Sequence, residues 1–157
     1  MPDFATTDLT LAIAHHLLIF SLAGILAFEV GVIRLGMTRE DFVRLARVDA
    51  WYGILAGAII VVGFSRAIFA AKGWAYYSVN MFFWAKMAAF GAVGLLSIAP
   101  TMRIIRWRRA LAGDAAFAPA PADIVKVRRF LWAEAAAFAL IPAFAAAMAR
   151  GYGSMAQ

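Results

Sequence analysis

The sequence predicts an all-α fold, a polytopic transmembrane four-helix bundle with both termini on the outer, periplasmic side. Three observations lead there. Of the 157 residues, 65% are hydrophobic and 15% are charged, whereas an ordinary soluble domain is ~45–50% apolar and ~25% charged. The apolar residues gather into four runs, and each can meet the ~20 residues needed to cross a hydrocarbon core ~30 Å thick. The basic residues gather between alternate runs, as cytoplasmic loops require. Together these exclude a water-soluble globule. A β-barrel is excluded because the runs are continuous rather than alternating. The chain has no Cys and two His, which removes disulfides, thiolate sites and most histidine-rich metal sites.

Residues 1–157 read as one transmembrane domain with spans at about 9–33, 50–69, 79–102 and 130–148. The first, Leu9 to Ile33, is interrupted by His15, His16 and Glu29, with Thr7 or Asp8 expected to cap its start and Arg34 closing it. The second runs from Ala50 to Phe69 and carries Arg66 near its far end. The third, Val79 to Met102, contains Lys86 and Pro100, and the fourth, Phe130 to Met148, contains Glu134 and Pro142. The two prolines predict kinks. Gly53 and Gly57 form a small-xxx-small pair, and the fourth span is largely Ala; small residues allow helix backbones to approach closely in lipid.

Eleven basic residues fall on one side: Arg34, Arg39, Arg44 and Arg47 in the first connection, and Arg103, Arg106, Arg108, Arg109, Lys126, Arg128 and Arg129 in the second. Arg66, Lys72 and Arg150 fall on the other. The bias puts both basic connections in the cytoplasm of a bacterial inner membrane. The acidic N-terminus lacks the basic n-region of a cleaved signal peptide. The basic balance, with a pI near 10.3, is explained by topology and anionic lipid, so no nucleic-acid partner is implied. Ala115–Pro121 reads as a semi-extended loop, after which Asp123 is expected to cap an amphipathic run feeding the fourth span. DFVRLARV at 41–48 and DIVKVRRF at 123–130 repeat one order of acid, apolar and basic residues. This suggests either duplicated hairpins or two helices with the same entrance chemistry.

Ionisable groups inside a bilayer are costly and are candidate functional residues. Counted from the nearest cytoplasmic Arg at ~1.5 Å per residue, His16, Lys86 and Arg66 reach one height of roughly 25–29 Å. Glu29 and Glu134 each lie five residues from an Arg and share a second level. At that level the two acids are expected either to pair structurally, with Arg44, Arg47, Arg103 or each other, or to relay protons. At the upper level, His15 and His16 point ~100° apart, so at most one faces a given site. A membrane His can be a helix–helix hydrogen-bond partner or a ligand. Lys86 and Arg66 can snorkel to the interface or face inward. Imidazole is a common axial ligand of haem iron, cations can neutralise propionates, and a kinked four-helix bundle can hold a porphyrin between its helices. The candidate cofactor is therefore a haem. Its residues are His16 (or His15) on iron, Lys86 as second ligand or carboxylate anchor, Arg66 on propionates and Trp84 against the ring.

The segments AHHLLIFSLAGILAFEVGVIR and FFWAKMAAFGAVGLLSIAPTMRIIRWRR resemble an uncharacterised bacterial family of four-helix membrane proteins, a domain of unknown function. More remotely the chain is similar to the HemJ-type protoporphyrinogen IX oxidases and the copper-resistance D-type membrane domains. HemJ-type proteins carry a first-span His and a later Trp–Lys element, and they bind haem b. The matching residues here are His16 (or His15) and, within FWAK, Trp84 and Lys86. The resemblance implies haem binding and a membrane oxidoreductase, with a porphyrin as substrate and a quinone as membrane-soluble partner. Two other functions are compatible with the residues. One is an accessory or assembly subunit docked through its small-residue faces in a homo-oligomer or larger complex. The other is a small transporter or proton pathway using Glu29, Glu134 and Lys86.

Overall fold

The computed structural model describes residues 4–69 and 73–154. Five helices follow one another: α1 (Phe4–Val32), α2 (Arg39–Phe69), the one-and-a-half-turn α3 (Gly73–Ser78), α4 (Met81–Gly113) and α5 (Pro121–Ala149). The four long ones are each apolar enough over 18 residues to cross a membrane, so the protein is a four-helix membrane protein in a lipid bilayer. α1 packs along α2, and α4 along α5, while α2–α4 and α1–α5 contacts close the bundle.

The helices begin and end for local reasons. Thr38 and Asp41 form a reciprocal cap at the start of α2: Thr38 N–H donates to Asp41 Oδ2 (3.0 Å), and Asp41 N–H donates to Thr38 Oγ1 (3.2 Å). Asn80 caps α4, its Oδ1 accepting from the N–H groups of Phe82 and Phe83. Asp114 ends α4 and turns the chain by accepting from Ala116 N–H (2.8 Å). α5 starts with Pro121 in its first turn, where a missing N–H costs nothing. The start of α4 is also tied to the chain's far end. Met81 N–H donates to Gly153 O (2.8 Å), and Asn80 Nδ2 donates to Tyr152 O (3.1 Å). With Asp8 beside Arg66 (3.8 Å), this puts the starts of α1 and α4 and the ends of α2 and α5 at one end of the bundle. That is the terminal end; the α1–α2 and α4–α5 connections form the loop end.

Three local expectations are corrected. Helix α1 is already helical from Phe4, so Thr7 and Asp8 lie inside it rather than capping it, and Asp8 turns to Arg66. Asp123 is not the cap of α5 either. Ala120 occupies that position with no side-chain bond, and Asp123 pairs with Arg103 across the α4–α5 connection. Finally, the basic segments 39–49, 103–113 and 121–129 continue the helices instead of forming loops. Their apolar stripes meet: Phe42, Leu45 and Ala46 of α2 pack with Ile104, Trp107 and Leu111 of α4 and with Ile124, Val127 and Leu131 of α5. The Phe42 and Trp107 rings meet edge-on at 5.8 Å. The repeated 41–48 and 123–130 segments thus both open helices, α2 and α5. Lys72 lies outside the described residues.

Candidate functional site

Two polar regions interrupt the apolar interior, one at each level that helix counting separates. Towards the terminal end, two adjoining cavities of about 230 and 530 Å³ lie between α1, α2, α4 and α5. Both are lined by His15, Ile19, Gly63, Phe83, Lys86 and Ile141. The smaller continues downward to an apolar floor of Ile59, Phe90 and Phe138. The larger opens upward past His16, Arg66, Tyr76 and Tyr77. Its size falls within the ~300–1,000 Å³ of small-molecule sites.

His15 is the inward histidine. Its side chain is half-buried, and its Nδ1 is buried with no hydrogen-bond partner. The ring fits because its neighbour on α2 is a glycine: a Cβ on Gly63 would come within 3.3 Å of His15 Cε1. His16 is exposed at the rim, its Nδ1 engaged with Ala12 O at 2.7 Å. Lys86 faces the bundle interior. It lines both cavities, with Nζ 5.4 Å from the centroid of the Phe83 ring, within cation–π range. Arg66 stands at the mouth, paired with Asp8, its Nε buried and without a hydrogen bond. Helix counting therefore finds real neighbours: His15, His16, Arg66 and Lys86 border one cavity. Trp84 is not with them. It is half exposed at 50%, donates Nε1–H to Ser78 O (2.9 Å) and meets Trp74 edge-on. Phe83 takes the wall position instead.

Towards the loop end, Glu29 of α1, Asp49 of α2 and Glu134 of α5 are 3%, 5% and 1% exposed. The Tyr52 hydroxyl donates to Glu134 Oε1, and the Thr101 hydroxyl donates to Asp49 Oδ1 (2.7 Å). Glu29 Oε1 is buried with no hydrogen-bond partner. The expected pairing of Glu29 and Glu134 with Arg44, Arg47 or Arg103 does not occur. Arg44 and Arg47 are exposed, and Arg103 is taken by Asp123. Arg44 and Arg47 sit on the outward face of α2, whose inward face carries Asp49. Sequence reasoning missed Asp49, Tyr52 and Thr101. Asp49 reads as part of a charged helix entrance until the helix face it occupies is known. Among the described residues, no set of three or more His, Cys, Asp or Glu is placed to hold a metal ion.

With this geometry in hand, comparison with known proteins gives a match over residues 7–153 to a model for predicted membrane proteins. The chain belongs to the DUF2214 family. No curated protein and no solved structure matches it. The four apolar helices of this DUF2214 chain agree with the family's description.

Proposed function

We propose that this DUF2214 chain is a haem b-binding integral membrane protein working in electron transfer or porphyrin redox chemistry, with His15 as the ligand to iron. The observation that carries this reading is His15 Nδ1, buried without a partner in a cavity that has two cations on its walls. Buried polar atoms are nearly always bonded, and a bare imidazole nitrogen is what iron takes as an axial ligand.

The remaining residues suit the same group. Lys86 and Arg66 complement two carboxylates, Arg66 through its planar fork. The Asp8 pair fixes the guanidinium at the mouth. Ile19, Phe83, Phe138 and Ile141 supply apolar walls for a flat hydrophobic body. Gly63 keeps the imidazole's space open. When bound, haem would supply one-electron redox chemistry, which the chain's own side chains lack. The chain's part is to ligate through His15, to anchor carboxylates or provide a second ligand through Lys86, and to exclude water. A porphyrinogen would present acidic groups to the same two cations, and a quinone can reach the cavity from the bilayer. The charge bias sets both termini, and the cavity mouth with them, on the periplasmic face of a bacterial inner membrane.

The test is the absorption spectrum of detergent-purified protein, oxidised and reduced, with His15→Ala and His16→Ala beside the wild type. The expected result is a Soret band lost in His15→Ala and kept in His16→Ala. A wild type that stays colourless after haem supplementation overturns the reading and favours an accessory subunit of a larger complex.

A further inference from the structure

The loop-end acids have no role in holding a ligand in the cavity, yet they are the most deeply buried carboxyl groups among the described residues. Three helices each contribute one carboxyl: α1 gives Glu29, α2 gives Asp49 and α5 gives Glu134. The fourth, α4, faces them with Thr101, and α2 adds Tyr52. No cation among the described residues is paired with them. Arg34, Arg44 and Arg47 are exposed, Arg103 pairs with Asp123, and neither ion pair among the described residues involves the three acids.

A buried carboxylate without a cation costs several kcal/mol after relaxation, and three together cost more through mutual repulsion. A metal ion does not solve the problem, because the acids are not placed to ligate one. The two hydroxyls each serve one acid, and neither serves Glu29, which is 3% exposed and whose buried Oε1 lacks a partner. The remaining way to keep these oxygens in an apolar interior is to place protons on them. A protonated carboxyl is both donor and acceptor, and so is a phenol. The Tyr52–Glu134 contact can therefore pass a proton in either direction along a hydrogen bond.

We propose that Glu29, Asp49 and Glu134, with Tyr52 and Thr101, form a proton-holding site in the bundle interior that exchanges protons with solvent at the loop end. Its position suits that work. Glu29 lies one turn from the end of α1 at Val32, beside the exposed Arg34–Gly36 turn. In the other direction, Phe138 and Ile59 of the cavity floor lie one and two turns beyond Glu134 and Tyr52, or about 6 and 10 Å along their helices. Protons stored there stand between the loop-end solvent and the cavity. The inference holds whatever the cavity binds.

Infrared spectroscopy of the purified full chain at neutral pH, in H2O and in D2O, tests it without reference to any pigment. Exposed Asp and Glu are ionised at that pH, and the chain has only nine acids in all, so acid carbonyl bands report the buried ones. The wild type is expected to show carboxylic-acid bands that downshift in D2O. Glu29→Gln should remove one component and Glu134→Gln another, at unchanged helical circular dichroism. A wild-type spectrum with carboxylate bands alone overturns the proposal, and that result depends on no variant folding. An acid-band envelope left unchanged by Glu29→Gln, Asp49→Asn and Glu134→Gln alike, or one that never responds to D2O, overturns it as well. A colourless protein with exchanging acid bands would sink the haem reading and leave this one standing.

Discussion

At the loop end, Leu45, Ile104, Val127 and Leu131 of three different helices are each no more than 2% exposed and belong to one continuous core. At the terminal end, helices of the same kind enclose about 230 and 530 Å³ of adjoining cavity, and the small second core is Ala89, Val93 and Ile141. Both halves are apolar, so composition does not separate them. What separates them is side-chain size at facing positions. Trp107, Phe42 and Leu131 interlock in one half, whereas Gly63, Gly91 and Ala67 face the space in the other. Close packing holds a structure in one arrangement. A gap lined by His15, Lys86 and Arg66 forgoes that dispersion energy and gains room for a ligand. The same division governs polar chemistry. Lys86 and Arg66 border the hollow half, where solvent or a ligand can meet them. Hydroxyl groups serve Asp49 and Glu134 in the solid half, where close packing leaves no room for a ligand.

Truncation should expose the contrast most strongly. Leu131→Ala in the solid half is expected to cost about 2–5 kcal/mol, the range for deleting a well-packed Leu. Ile19→Ala beside the cavity should cost about 1 kcal/mol, since less packing is lost there. Reversible unfolding in mixed detergent measures both, and equal costs would break the comparison. The next effect concerns the tie between chain ends. Gly153 has φ of +80°, and a Cβ there would lie 2.5 Å from Phe82 Cδ2. Gly153→Ala should destabilise by about 1–3 kcal/mol through strain and displacement of the Phe82 ring. The thermal midpoint should fall accordingly, and an unchanged midpoint would mean that the Met81–Gly153 tie contributes little.

Gly63→Ala sharpens the comparison by splitting two readouts. In a helix interior Ala is favoured over Gly by about 0.5–1 kcal/mol, so stability should hold or rise. Haem uptake at limiting haem should fall, because the new methyl presses on His15 at 3.3 Å. A variant that loses both together would make Gly63 a packing residue only. The smallest change is expected from Asp8→Asn. The Asp8–Arg66 pair is 3.8 Å long and about a third exposed, so its loss should cost about 0–1 kcal/mol, screened by salt. A larger, salt-independent loss would show that the cavity mouth is built more tightly than its exposure indicates.

Much of the molecule was legible in the chain. Hydropathy fixed four crossings, because the bilayer leaves few alternatives for so many apolar residues in runs. Counting along helices from the loop-end arginines brought His16, Arg66 and Lys86 to one level, with His15 adjacent, because rise per residue is nearly constant in every α-helix. The same count set Glu29 and Glu134 at another level. Rotation was not legible in the same way. Which of two adjacent histidines faces inward, whether Trp84 lines the cavity, and whether Asp49 joins the acids all depend on the angle at which each helix meets its neighbours. The extent of the helices was also hidden. The Arg-rich segments look like loops beside a membrane, and only their mutual packing through Phe42, Trp107 and Leu131 keeps them helical beyond the apolar spans. The sequence by itself determined the number of crossings, their length and the height of each charge, all of which follow from local chain geometry and the cost of polar groups in lipid. The tertiary structure decided which side chains meet, where the interior is hollow and which acids are left without a cation, because those depend on helix rotation and on the sizes of residues far apart in the chain.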